Sequence, residues 1–76
     1  MTFMRIVGIR IKELRSEKGL SQLKVAQAIG TSSAIVGFWE NDKAEPTAPN
    51  IAALAKFFNV TTDYLLGLEN EDGSKI

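Results

Sequence analysis

A chain of 76 residues with 45% hydrophobic and 24% charged side chains is apolar enough to fold as one domain and too short for a catalytic cleft between two lobes. It contains no Cys and no His, which excludes disulfides, thiolate chemistry, the commonest zinc ligands and the usual general base near neutral pH. Nine Lys and Arg balance nine Asp and Glu, and a net charge of zero argues at first sight against a nucleic-acid partner.

In chain order, the N-terminus Met1 to Gly8 lacks the apolar run and cleavage site of a targeting signal. No stretch approaches the roughly 20 apolar residues that span a bilayer, so a cytoplasmic protein without a membrane partner is expected. Apolar spacing predicts a first helix over 6–18, with Val7, Ile11 and Leu14 on one face and Gly19 as its stop. Ser21 is a good N-cap for a second helix, and Leu20 before it is placed to staple against Val25. Lys24 stands where the Glu or Gln of a full capping box belongs. Val25, Ala26 and Ile29 form the apolar side of this helix, and Gly30 ends it.

Ser32 caps a third helix over 33–41. At about 100° per residue, Ile35, Val36, Trp39 and Glu40 share one side, while Ser33, Ala34, Gly37, Phe38 and Asn41 share the other. After a polar turn, Thr47 is expected to cap a fourth helix that tolerates Pro49 in its first turn and buries Ile51, Leu54, Ala55 and Phe58. Asn59 ends it. Thr61 to Gly67 reads as a short fifth helix with a Thr cap and a C-terminal Gly. The period of 2 that marks a strand is absent, so the class is all-α, a compact bundle of five helices. One domain over 1–68 is followed by a flexible acidic tail over 69–76.

Two short helices joined by about three residues around Gly30 have the spacing of a helix-turn-helix. Lys18-Gly19-Leu20-Ser21-Gln22, Ala26, Ile29-Gly30, Ser32, Val36, Trp39-Glu40, Pro46 and Val60 to Gly67 sharpen it. Together these residues resemble the Xre family of DNA-binding domains, the group that includes the lambdoid phage repressor and Cro proteins. The resemblance covers roughly residues 5–67.

The resemblance implies a lambda-repressor-like bundle whose third helix enters the major groove of operator DNA while the second crosses the backbone. Gln22 would then bond a phosphate oxygen or a nearby base, and Gln27 would lie close to the backbone. Ser32 serves first as a cap, with its amide near phosphate. Ser33, Ala34, Gly37 and Phe38 match the groove-facing positions, and Asn41 and Lys43 the turn that follows. One hydroxyl, one methyl, a bare backbone and a ring imply an apolar, shape-weighted readout in which Ala34 and Phe38 pack on thymine methyls. Gly37 costs the helix about 1 kcal/mol relative to Ala, for which close approach to DNA is a reason. Asp42 departs from the Gly frequent at its position. Arg15 and Glu40 match a structural ion pair.

The charge objection dissolves once the chain is divided. Residues 5–43 carry Arg5, Arg10, Lys12, Arg15, Lys18, Lys24 and Lys43 against Glu13, Glu17, Glu40 and Asp42, which is +3. Residues 44–76 carry Lys56 and Lys75 against Glu45, Asp63, Glu69, Glu71 and Asp72, which is −3. The positive half holds the helix-turn-helix, as phosphate binding requires. A charge of +3 gives one module weak affinity, so a homodimer on two half-sites is expected; Tyr64, Leu65 and Leu68, or Phe3 and Met4, either join it or close the chain's own core. The expected function is a transcriptional regulator, most plausibly a repressor. No enzyme activity, cofactor, metal or small-molecule effector is expected. The alternative is a protein-interaction module that holds a partner on Phe38 and the apolar face of helix 3.

Overall fold

The computed structural model describes residues 5–70 and 72–76. Five helices follow in order: α1 Arg5–Glu17, α2 Gln22–Ile29, α3 Ser33–Glu40, α4 Ala48–Phe58 and α5 Thr62–Leu65. Among the described residues there is no strand, only an isolated antiparallel bridge between Glu69 and Lys75. The all-α bundle expected from the apolar spacing is the fold found.

Each helix end has a local cause. At the end of α1, Gly19 adopts φ +66°, the Leu20 amide donates to the Arg15 carbonyl at 3.0 Å, and the Gly19 amide donates to Ser16 at 3.1 Å. These are the two bonds of a Schellman stop. Ser21 Oγ accepts from the Lys24 amide at 3.0 Å, Ser32 Oγ from Ile35 at 3.3 Å and Thr61 Oγ1 from Tyr64 at 3.0 Å. Thr47 differs from expectation: it holds the N-cap position of α4, but its side chain makes no capping bond. Pro49, two residues on, has no N–H to offer one of the two amides that a cap serves.

The core is one cluster to which every helix contributes: Val7, Ile11 and Leu14 of α1, Val25 and Ala26 of α2, Val36 and Trp39 of α3, four residues of α4, and Leu65 of α5. The α4 residues are Ile51, Leu54, Ala55 and Phe58, the stripe read from the spacing. α1 packs on α3 and α5, α2 on α3 and α4, and α4 on α5. The α1–α3 contact depends on Gly8. A Cβ at this position would stand 2.0 Å from the Trp39 carbonyl oxygen and 3.2 Å from Glu40 Cα, so only a residue without a side chain lets the two backbones meet.

The described residues of 69–76, read as a flexible tail, make fixed contacts: the Ile76 amide donates to Leu68, the Asn70 amide to Ser74, and Lys75 Nζ reaches Asp63 at 2.5 Å and Glu69 at 3.1 Å. Of the two readings offered for Leu65, it closes the chain's own core, where it is fully buried, while Leu68 stays exposed. Phe3 and Met4 lie outside the described residues.

Candidate nucleic-acid interface

α2 and α3 are joined by Gly30, Thr31 and Ser32. Gly30, at φ +81°, caps α2, and both its amide and that of Thr31 donate to the Ala26 carbonyl at 2.9 Å. Ser32 then caps α3, its Oγ accepting from the Ile35 amide. Val36 and Trp39 point inward, and this fixes the opposite side of α3 outward.

On that outer side the predicted residues come together. Ala34 and Phe38 are exposed, and Ser33 and Gly37 are partly covered. Phe38 is 48% exposed. Gln27 is exposed on α2, about 140° around the helix from Gln22. Lys43 is exposed beyond the end of α3. Asn41 turns back instead: its Nδ2 donates to the Gly37 carbonyl at 2.8 Å and closes the helix end. Asp42 holds φ +59°, the left-handed conformation for which Gly is the ordinary choice.

Gln22 is tied in more closely than its helix-terminal place suggested. Its Nε2 donates to Glu40 Oε1 at 3.1 Å. The same carboxylate accepts from Arg15 Nε at 2.7 Å and Nη2 at 3.0 Å, and Arg15 Nη1 donates to the Leu20 carbonyl at 2.8 Å. The Glu40 side chain is only 2% exposed and that of Arg15 17%. The ion pair inferred from the resemblance is therefore present and bidentate. The hydrogen bond from Arg15 to Glu40 raises the Arg15 pKa above its ordinary value, so the guanidinium stays charged wherever the protein is folded. The Gln22 amide lies where a Gly37 side chain would project: a Cβ there would sit 3.4 Å from Gln22 Oε1 and 3.5 Å from Nε2. These are ordinary contacts. The Gln22 amide thus packs over Gly37 in the free protein.

Arg10 leaves the basic set. Its Nη1 donates to the Tyr64 carbonyl and to the Glu69 carbonyl, the latter at 2.7 Å, and its guanidinium lies 4.1 Å from the Tyr64 ring centroid. It clamps α1 to α5 and the folded-back tail. Sequence spacing carried no sign of this contact, because its partners lie 54 and 59 residues away. Beside the clamp a groove of about 560 Å³ is lined by Leu14, Glu17, Thr61, Tyr64, Glu69 and Asp72. Its acidic rim disfavours phosphate, and α2 and α3 contribute nothing to its lining.

A helix-turn-helix family model matches residues 11–65, well over half of the chain. The chain belongs to this helix-turn-helix family. Among curated relatives, the HTH-type transcriptional regulator ImmR of Bacillus subtilis is 33% identical over 61 residues, covering 80% of this chain and 48% of that protein. Repressor protein C2 of Salmonella phage P22 is 31% identical over 62 residues, 82% of this chain and 29% of the relative. The chain therefore spans half or less of the length of these two relatives. The P22 c2 repressor bound to a synthetic operator superposes with a TM-score of 0.76 at 32% identity, covering 79% of this chain and 91% of that one. The restriction-modification controller protein C.AhdI of Aeromonas hydrophila superposes at 0.75, also at 32% identity, covering 82% and 94%. Among the described residues, no helix of this helix-turn-helix protein is long and apolar enough to cross a membrane.

Proposed function

We propose that this chain is a sequence-specific DNA-binding transcriptional regulator, a repressor that lays α3 in the major groove of an operator. The observation that carries the reading is the outer side of α3. Ser33, Ala34, Gly37 and Phe38 add nothing to the core, yet the buried side of the same helix holds them in one fixed orientation. The family membership and the operator-bound relative support it. Gln22, Gln27, Ser32 and Lys43 border this surface as phosphate or base partners. Asn41 contributes through its Oδ1 and its remaining N–H, since one Nδ2 hydrogen is engaged.

Because Arg10 and Arg15 are engaged internally, the phosphate-binding charge of one copy is small. We infer a homodimer on DNA, with half-sites about one helical turn apart, acting in the cytoplasm. Residues 1–68 form the binding domain. Selection of duplexes from a random pool tests the reading. It predicts an enriched sequence, and weaker binding to it by Lys43→Glu; a pool that shows no enrichment refutes it.

The half-exposed Phe38 favours one second reading, a protein partner held on the same face. Phe38→Gln would then abolish partner capture and leave duplex binding unchanged or improved. Loss of duplex selectivity in that variant rejects this alternative.

A further inference from the structure

The orientation of the Gln22 amide is dictated by the fold. A carboxylate is an acceptor only, so Glu40 compels Nε2 to face it and leaves Oε1 on the other side. A free amide can flip; this one cannot without losing the bond. Glu40 is in turn held by two Arg15 hydrogen bonds in a nearly closed environment, and Gly37 provides the flat floor on which the amide lies. One N–H and Oε1 are left over. No bond to Oε1 forms among the described residues, and no buried polar side-chain atom in them lacks a partner, so Oε1 opens to solvent.

A donor and an acceptor side by side on a planar amide match the major-groove edge of adenine, which offers N7 as acceptor and the N6 amino group as donor. Phosphate oxygens accept only, and would leave Oε1 unmatched in a closed interface. Adjacent Ala34 and Phe38 present the apolar surface that suits a thymine methyl. We propose that Gln22 is a specificity-determining residue that reads one adenine bidentately, and that Arg15 and Glu40 are positioning residues that hold its amide over Gly37. This rests on the DNA-binding reading above and commits Gln22 to a base.

The test compares duplexes selected from a random pool by the full chain and by Gln22→Ala. The full chain should prefer A·T over G·C at one position by about tenfold or more, and Gln22→Ala should lose that preference while keeping the rest of the selected sequence. In the full chain, 7-deazaadenine at that position should cost about as much as the base change. The positioning role is read with Arg15→Met/Glu40→Leu, an apolar replacement of the pair, and independently with Gly37→Leu, which fills the place of the amide and leaves the pair intact. Each should flatten the preference at that one position, with folding checked by circular dichroism. Equal weakening on every duplex in Gln22→Ala, with the adenine preference intact, overturns the proposal. An intact preference in folded Arg15→Met/Glu40→Leu overturns the role of the pair, and an intact preference in folded Gly37→Leu overturns the placing of the amide over Gly37. A full chain that binds no duplex defeats the DNA-binding reading itself, a result distinct from both.

Discussion

Gly8→Ala is the sharpest test of how the recognition helix is held. On an exposed helix this change is favourable by about 1 kcal/mol, because Ala loses less backbone entropy than Gly. Here the new methyl would stand 2.0 Å from the Trp39 carbonyl oxygen and 2.9 Å from its carbon. Ordinary contact begins near 3.4 Å, so α1 and α3 must separate by about 1.4 Å along that line. Both sides of the clash are backbone, and no rotamer relieves it. Overpacking costs about 1–3 kcal/mol and occasionally more, and the absence of a side-chain escape places this case at or above the upper end. After the propensity gain, a net loss of about 2 kcal/mol remains. For a domain of this size that is a fall in Tm of about 8–16 °C. Thermal unfolding followed by circular dichroism measures it, and the single Trp gives a second signal, since Trp39 is 3% exposed and its emission should shift to the red as the contact opens. A Tm that is unchanged or raised, with Trp39 emission unaltered, refutes the close approach of the two helices.

Arg10→Ala should cost about 2 kcal/mol in a melt by removing two charged hydrogen bonds and a ring contact, while the folded variant binds duplex nearly as well as the parent. Loss of binding without loss of stability would return Arg10 to the basic surface. Asp42→Gly should change stability by no more than about 1 kcal/mol and strengthen duplex binding several-fold, more at 50 mM salt than at 200 mM, because a negative charge beside the phosphates is removed. Asp63 and Glu69 hold the pKa of Lys75 above its ordinary value, so this clasp is present below the lysine range and is lost as pH rises past it. In NMR titrations, Lys75 should deprotonate at higher pH in the parent than in Asp63→Asn.

Local features were legible in the sequence and distant ones were not. Ser21, Ser32 and Thr61 cap their helices because a cap acts within three residues, and the apolar stripes of α1 and α4 are the core because a helix repeats every 3.6 residues. Arg10 counted as a surface cation because its period placed it off the core stripe; only the tertiary fold shows the carbonyls it reaches. Gly8 carried one weak signal, a costly residue in the middle of a good helix. Gln22 was visible as a polar residue at a helix start. Its bond to Glu40 required knowing that the end of α3 returns beside the start of α2. Thr47 shows the limit of local rules, since its place was right and the Pro two residues later removed a partner for its hydroxyl.

The central claim is that the α2–α3 surface holds duplex DNA, and the salt dependence of that binding tests it most directly. Titration of a selected duplex at 50 and 200 mM salt should show affinity falling by roughly a hundredfold for a dimer that displaces counterions from about four phosphates, with Lys43→Glu flattening the slope. Affinity that does not change between the two salt concentrations, or a slope indifferent to Lys43, would contradict it.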